Sequence, residues 1–168
     1  MWQVFKSKLH TEQVTTVYET LERPLSPVLA RMEMAGVMVD RDVLSRMSNA
    51  FAQKMAGLEA EIHDLAGENF NVGSPKQLGE ILFDKMSLPG GKKGKTGAYA
   101  TGVDILEDLA SEGQDLPARV LDWRQLSKLK STYTDALQRF INPETDRVHT
   151  SYVQTGAVTG RLSSTDPN

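Results

Sequence analysis

Apolar residues recur every three or four positions through most of the first 140 residues, which is the period of an amphipathic α-helix. The first such stripe lies between residues 14 and 32. Pro24 and Pro27 interrupt it, and proline is tolerated only in the first turn of a helix. We therefore predict one helix to about Glu22 and a second from near Pro24, with Gly36 as its C-terminal end.

A longer stripe follows Asp40, a residue type that favours helix N-caps. Its apolar members, from Leu44 to Leu65, are spaced close to a heptad. This spacing predicts a helix of about 26 residues, roughly 40 Å long, that packs along another helix at a shallow angle. Gly67 is its predicted end.

Ser74, Pro75 and Gln77 have the form of a capping box, which predicts a shorter helix from this point. A loop rich in Gly and Lys follows at residues 90–97. Thr101 is the predicted cap of another short helix that runs through residue 110.

The last predicted helix starts at residues 115–117 and runs to about residue 140. Its predicted apolar face consists of Leu126, Leu129, Tyr133, Leu137 and Phe140, and its opposite, polar face of Arg124, Lys128, Ser131 and Asp135. Residues 148–155 are rich in β-branched side chains and predict a strand. The whole pattern predicts a mainly α fold: a long antiparallel helical hairpin with a small helical tip, followed by a short C-terminal β segment.

The charge balance argues weakly against a nucleic-acid binder, because 19 Lys and Arg stand against 22 Asp and Glu. The distribution of charge argues the other way. Five bases and two acids occur between Arg119 and Arg139, and the lysines at 92, 93 and 95 have no acid close to them in the sequence. Such clustering is typical of a one-sided nucleic-acid surface.

Other features of the sequence indicate the cellular compartment and exclude some kinds of site. The chain has no Cys, which excludes disulfides and thiolate metal sites and favours a reducing cytosol. No apolar run approaches the roughly 20 residues of a membrane span, so we expect no membrane partner. Carboxylates such as Glu59, Glu61, Asp104 and Asp108 lie on predicted helices without a second ligand pattern, so we expect no metal site and no cofactor in this chain.

Two basic features have alternative interpretations on the residues alone. The Lys-rich Gly loop can place ammonium groups beside phosphates, or it can be a solvated loop tip; it does not match a P-loop. The face with Arg124 and Lys128 can follow a phosphate backbone, or it can be an ordinary solvated face. Arg161, in a stretch of Gly, Thr and Ser, can reach minor-groove acceptors or remain a surface side chain.

Several blocks of sequence, in order along the chain, carry a family resemblance. They are ERPL at 22–25, VLARME at 28–33, GV at 36–37, VD at 39–40, FNVGSPKQL at 70–78, ILFDK at 81–85, KTGAYAT at 95–101, RQLSKLKSTY at 124–133, RVHT at 147–150, QT at 154–155 and TGRLSS at 159–164. Together they resemble bacterial family A DNA polymerases, the DNA polymerase I group. The final block, followed by DPN, is similar to the motif that opens the palm in that family.

The resemblance implies a division into three parts. Residues 1–17 look like the tail of a preceding exonuclease-like domain, residues 18–140 like the thumb, and residues 141–168 like the start of the palm. The family's catalytic carboxylates, which hold Mg²⁺, would follow this segment. We therefore expect no polymerase activity from this polypeptide alone, and we expect palm and fingers segments of the same polymerase as partners.

The resemblance also implies which residues hold primer–template duplex DNA. The first set faces the duplex backbone from the thumb tip, the second lines the duplex nearer the palm, and one arginine reaches the minor groove near the primer terminus. In that order the predicted DNA contacts are Asn71, Ser74, Lys76, Gln77, Lys92, Lys93, Lys95, Thr96 and Thr101; Arg124, Lys128, Lys130, Ser131 and Thr132; and Arg161.

The function that follows is a DNA-gripping segment, without sequence preference, that works in bacterial replication and repair in the cytoplasm at the nucleoid. Two alternatives stay open. The chain is a helical protein–protein interaction module whose basic loops are incidental, or it is one half of a split polymerase.

Overall fold

The structure is a computed structural model that describes residues 2–94 and 97–167, with the side chain of Gln3 left out. The chain forms two units. The first contains the described residues up to Arg41 and those from Leu137 onward, and the second contains Asp42–Ala136. The three-part division implied by the family resemblance is a different partition of the chain and stays a prediction.

In the first unit the N-terminal helices are α1 (Trp2–Thr11), α2 (Thr15–Val17) and α3 (Arg23–Ala35), with a π-helical turn at Tyr18–Glu22 that joins α2 to α3. The predicted break before Pro24 is therefore wrong. The π turn, in which the Arg23 N–H donates to the Tyr18 carbonyl, is wider than an α-helical turn. It lies directly before the proline and accommodates the ring and the missing N–H within one continuous helix.

A three-stranded antiparallel sheet follows α3. Gly36 ends the helix as predicted, with φ of 65° and its N–H bonded to the Met32 carbonyl. The strands are β1 (Val37–Met38), β2 (Ile141–Asn142) and β3 (Arg147–Val148), in the order β1–β3–β2.

A separate antiparallel pair consists of β4 (Ser151–Val153) and β5 (Ser163–Thr165). The single strand predicted over 148–155 is therefore wrong in extent, because β3 and β4 belong to different sheets. Side-chain bonds fix the change of direction between them. His149 Nδ1 lies 2.8 Å from the Glu33 carbonyl, and the Thr150 hydroxyl donates to the Thr165 carbonyl at 3.0 Å.

The second unit is built on an antiparallel helical hairpin. Its first arm is α4 (Arg41–Ala66), which has 26 residues and ends at Gly67 with φ of 71°, as predicted. The second arm is α7 (Asp115–Lys128), which continues through a π-helical turn at Leu129–Asp135; the next helix in the chain, α8 (Ala136–Arg139), belongs mostly to the first unit. Arg119 pairs with Glu61 at 3.5 Å, whereas Ser48 donates to Asp135 at 2.5 Å, so the arms run in opposite directions.

The predicted faces of the second arm are wrong at Tyr133 and Asp135, whereas Ser131 is exposed as predicted. Tyr133 was expected in the apolar face and is 48% exposed, whereas Thr134 is 2% exposed. Asp135 was expected on the polar face and instead accepts from Ser48 and pairs with Lys130 at 2.6 Å. A π turn contains more residues than an α turn, so the 3.6-residue period used for the prediction loses register there.

The tip of the hairpin contains α5 (Pro75–Gly79), which continues into a π-helical turn at Glu80–Lys85, and α6 (Val103–Ser111). The Ser74 cap is confirmed, because its Oγ accepts from the Gln77 N–H at 3.4 Å. The Thr101 cap is wrong: Gly102 occupies the N-cap position of α6, and Thr101 bonds to Arg124 instead.

The tip also holds the hydrophobic core, where the end of α4, the small helices and the start of α7 meet. The buried core residues are Ile62, Ala66, Val72, Leu78, Ile81, Leu82, Phe83, Leu106, Leu109, Leu116 and Val120. The expected fold class is confirmed as mainly α with small antiparallel sheets. Within the described ranges, no helix has both the length and the apolar character that crossing a bilayer requires.

Candidate nucleic-acid interface

Trp123 and Arg124, which are adjacent in α7, contact two segments that carry predicted DNA contacts. A Cβ added at Gly73 would lie 3.4 Å from the ring of Trp123, so the turn after residue 71 packs closely on this indole. Arg124 donates to the Thr101 carbonyl at 2.5 Å and to the Thr101 hydroxyl at 3.2 Å. The turn at 71–74 and the chain that leaves the lysine loop are thus fixed to the same stretch of helix.

The turn itself is held by its own polar groups. The Asn71 Oδ1 accepts from the Gly73 N–H at 2.9 Å, and the Gln77 Oε1 accepts from the Asn71 N–H at 2.7 Å. The Ser74 N–H donates to the Asn71 carbonyl at 2.9 Å. These bonds occupy polar atoms of three of the predicted contacts and leave Lys76, which is exposed, as the cation of this block.

The lysine loop is a short antiparallel ladder. Lys93 and Tyr99 form a β-bridge, flanked by bonds from the Ala100 N–H to the Lys92 carbonyl at 2.9 Å and from the Gly94 N–H to the Ala98 carbonyl at 2.8 Å. The Lys93 Nζ lies 4.5 Å from the centroid of the Tyr99 ring, within the range of a cation–π contact. The predicted contacts Lys95 and Thr96 lie outside the described residues.

Tyr99 anchors this ladder to the helix that starts at α5. Its ring lies 4.9 Å from the Phe83 ring, and a Cβ at Gly79 would come within 2.7 Å of the Tyr99 Cβ. The phenol donates to Asp84 Oδ1 at 2.5 Å. That hydrogen bond raises the pKa of Tyr99 above its ordinary value, burial adds to the rise, and the nearby Lys93 opposes it. The phenol therefore stays a neutral donor at physiological pH.

Two predicted cations from different segments converge on one surface. Lys76 and Lys93 line the same cavity, of about 310 Å³, together with Glu80 and Asp84. Residues 97–99 of the ladder complete the cavity lining. A lysine of the ladder and a lysine in the first turn of α5 therefore line a common space.

Lys92 lies elsewhere, although it is adjacent to Lys93 in the sequence. It lines a cavity of about 380 Å³ with two carboxylates of α6, Asp104 and Asp108, and with Glu112, which directly follows that helix. In the folded chain Lys92 therefore has acids near it, although none is close to it in the sequence.

The remaining predicted contacts differ in how accessible they are. Lys128, Ser131 and Thr132 are exposed, whereas Lys130 pairs with Asp135 at 2.6 Å. Arg161 is exposed in the first unit, in the loop between β4 and β5.

Thr101 and Arg124 have an internal role that the sequence did not reveal. Thr101 is 7% exposed, and its hydroxyl and carbonyl both accept from Arg124. Burial lowers the pKa of the Arg124 guanidinium, which stays charged because its ordinary value lies far above neutrality. Direct DNA contact by Thr101 stays a prediction, and the burial of the Thr101 side chain disfavours such a contact.

Sequence reasoning missed Tyr99, Trp123 and Gly79 as residues that position the site. The available signals were an aromatic residue inside a loop of Gly and Lys, a Trp next to a candidate Arg, and a Gly inside a short helix. Each is common in unrelated proteins, so their joint role becomes evident only from the contacts.

The family resemblance implies Mg²⁺ in the complete enzyme, and the described residues do not fit such a site. Among them, no group of three or more His, Cys, Asp and Glu side chains is arranged to hold a metal ion. No step proposed for these residues therefore passes through a metal.

Comparison with known proteins identifies the family. The family model for DNA polymerase family A matches residues 41–168. The chain is 60% identical over 168 residues to a DNA polymerase I of Rhizobium leguminosarum and 48% identical over 168 residues to one of Pseudomonas aeruginosa. These matches cover 100% of this chain but only 16% and 18% of the two relatives.

A solved structure agrees with the sequence matches. It is described as the POL domain of Pol1 from M. smegmatis in complex with DNA primer-template and dNTP. Its similarity to this chain has a TM-score of 0.82 at 36% identity, over 96% of this chain and 28% of that one. The resemblance found in the sequence is thereby confirmed, and the chain belongs to DNA polymerase family A.

Proposed function

We propose that the unit from Asp42 to Ala136 holds duplex DNA by its sugar–phosphate backbone, without sequence preference, as part of a polymerase that replicates and repairs DNA. The observation that carries the proposal is the convergence of Lys76 and Lys93 on one cavity. The solved relative, a polymerase domain described in complex with primer-template DNA, supports duplex DNA as the partner.

Paired ammonium groups suit this role because every duplex presents the same phosphates. Contacts to phosphate position a protein on DNA and carry no sequence information. Each neutralised phosphate releases counterions, so binding weakens as salt rises. A polymerase segment that must hold any sequence needs this type of contact.

Neighbouring acids limit the affinity. The cavity with the two lysines also contains Glu80 and Asp84, although one Asp84 oxygen accepts from the Tyr99 phenol. We therefore expect a dissociation constant of about 10⁻⁶ M or weaker, which is typical of non-specific binding.

Other exposed predicted contacts are proposed to bind DNA within each unit separately. Lys128, Ser131 and Thr132 extend it along the second arm of the hairpin, and Lys130 joins them if duplex draws it from Asp135. Arg161 in the first unit reaches minor-groove acceptors, since purine N3 and pyrimidine O2 occupy nearly the same place in every correct base pair.

We also propose that the palm and fingers of the same polymerase cover apolar side chains of the first unit. Among the exposed ones are Leu21, Met32, Met34, Val37 and Met38. Exposed apolar patches are typical of a surface that contacts other protein, and several of these side chains are close in the sequence. In this proposal the covering segments supply the catalytic carboxylates, and this segment supplies no metal ligand. The assembled enzyme would work in the cytoplasm, at the nucleoid.

A second candidate function is a helical protein–protein interaction module. An open groove of about 430 Å³ between α4 and α7, lined in part by Leu58, Leu126 and Leu129, favours it. Binding through that groove would depend on apolar contact and would change little with salt.

A salt titration of duplex binding tests the proposed function. The chain is titrated by fluorescence anisotropy into two labelled duplexes of unrelated sequence, between about 50 and 200 mM salt. We expect similar affinities for both duplexes and a linear fall of log K with log salt. Lys76→Ala should reduce the steepness of that slope by about one.

Lys54→Ala is the matched control, because Lys54 lines the groove between α4 and α7 instead of the cavity with Lys93. It should leave the slope unchanged. Binding that is insensitive to salt, or undetectable, would contradict the proposal and favour the interaction module.

A further inference from the structure

The two adjacent lysines of the ladder face different chemical surroundings. In a β-bridge, successive side chains point to opposite sides of the strand. Lys93, in the bridge with Tyr99, lines the cavity that also contains Lys76. Lys92 lines the cavity along α6.

We propose that Lys93, and not Lys92, is the lysine of this pair that contacts duplex phosphates, and that Tyr99 is the positioning residue that holds Lys93 in place. The inference rests on the proposed DNA grip, and it assigns the phosphate contact to one of two neighbouring lysines that the sequence cannot distinguish.

Local charge separates the two lysines. On the Lys93 side, two lysines stand against two carboxylates, Glu80 and Asp84. On the Lys92 side, one lysine stands against three carboxylates, those of Asp104 and Asp108 on α6 and of Glu112 directly after it. A phosphate that approaches Lys92 therefore meets a surface with net negative charge, whereas near Lys93 the charges balance.

Tyr99 connects the position of Lys93 to the helix below. The Lys93 ammonium lies over the Tyr99 ring at 4.5 Å. The ring is in turn wedged against the bare backbone of Gly79 and beside Phe83, with its phenol bonded to Asp84. The aromatic face thus sets where the ammonium lies, and a cation held by a ring keeps its charge available to a phosphate.

The ring and the phenol of Tyr99 have different parts in this arrangement. Tyr99→Phe keeps the ring face under Lys93 and loses only the bond to Asp84. Tyr99→Leu keeps apolar bulk beside Gly79 and removes the aromatic face, so it separates the positioning of Lys93 from simple packing.

The test is the salt dependence of duplex binding by the whole chain, measured with a labelled primer–template duplex of arbitrary sequence. Lys93→Ala should reduce the steepness of the slope of log K against log salt by about one, the value for one lost phosphate contact. Lys92→Ala should leave the slope unchanged. Tyr99→Leu should reproduce the Lys93→Ala slope although Lys93 is present, and Tyr99→Phe should retain the wild-type slope.

Coupling between the two residues gives a readout that loss of packing alone would not produce. Adding Lys93→Ala to Tyr99→Leu should cause no further change in slope. Equal slope changes for Lys92→Ala and Lys93→Ala would overturn the inference while leaving the DNA grip intact. A wild-type chain that shows no salt-dependent binding would overturn both.

Discussion

Replacing Arg124 with Ala distinguishes a residue that braces the tip from one that touches DNA. The family resemblance implies a DNA contact, whereas in the structure Arg124 donates to the carbonyl and the hydroxyl of the buried Thr101. If Arg124 braces the tip, its replacement should lower the stability of the chain. If Arg124 contacts DNA, its replacement should lower DNA affinity with little change in stability.

The expected loss follows from the two hydrogen bonds. A bond from a charged donor contributes about 1.5–3 kcal/mol, and because the guanidinium is only half buried the lower value applies to each. Two such bonds give about 3 kcal/mol for Arg124→Ala. For a chain of this size that corresponds to a fall in Tm of roughly 6–12 °C.

Urea unfolding followed by circular dichroism measures the loss, and two variants serve as controls. Thr101→Val removes the hydroxyl acceptor and retains the carbonyl, so it should cost about half as much, and the double variant should cost less than the sum of the two. Lys128→Ala removes an exposed cation one helical turn further along and should change stability by less than about 0.5 kcal/mol. An Arg124→Ala chain that unfolds at the wild-type midpoint would refute the reasoning. If its duplex-binding slope also fell by about one, Arg124 would be a direct contact.

Three further predictions concern the tip. Gly79→Ala should destabilise the chain by about 1–3 kcal/mol, because its Cβ would lie 2.7 Å from the Tyr99 Cβ. Gly57→Ala, with open space around it on α4, should stabilise the chain by about 0.4–1 kcal/mol. Equal urea midpoints for the two variants would contradict this prediction. Leu82→Ala, at a fully buried core position, should cost about 2–5 kcal/mol in the same assay, and a cost below that range would mean that the site collapses around the cavity. Ultraviolet titration should show that the pKa of Tyr99 lies above the ordinary tyrosine value of 10.0. The bond to Asp84 should therefore persist below that pH and be lost as the pH rises through the raised pKa. Tyr99→Phe should remove this late component of the titration, and a titration that is unchanged in the variant would contradict the assignment.

Local signals in the sequence were sufficient for the parts of the fold that depend on neighbouring residues. The Ser74 cap, the end of α3 at Gly36 and the length of α4 all follow from residues within a turn of the feature they determine. The family resemblance, carried by blocks along most of the chain, was also correct.

Features that depend on distant residues could not be predicted in this way. Thr101 looked like a helix cap because nothing in its neighbourhood indicated Arg124, which lies 23 positions later. The π turn after Lys128 has no local signature, so Tyr133 was wrongly predicted on the apolar face and the burial of Thr134 was not predicted.

The lysine pair shows the same limit at the candidate site. The acids that line the cavity with Lys92 come from α6 and the residue after it, more than ten residues further along the chain. Pairing across the ladder and packing against Gly79 determine the surroundings of Lys93. Composition identified a basic loop correctly, but only the fold distinguishes its members.

The most direct test of the DNA grip is acetylation footprinting of the lysines with and without saturating duplex, read by mass spectrometry. The account predicts that duplex protects Lys76, Lys93 and Lys128 and leaves Lys54 and Lys92 as reactive as in the free chain. Protection of Lys54 and Lys92, with Lys76 and Lys93 unchanged, would contradict it.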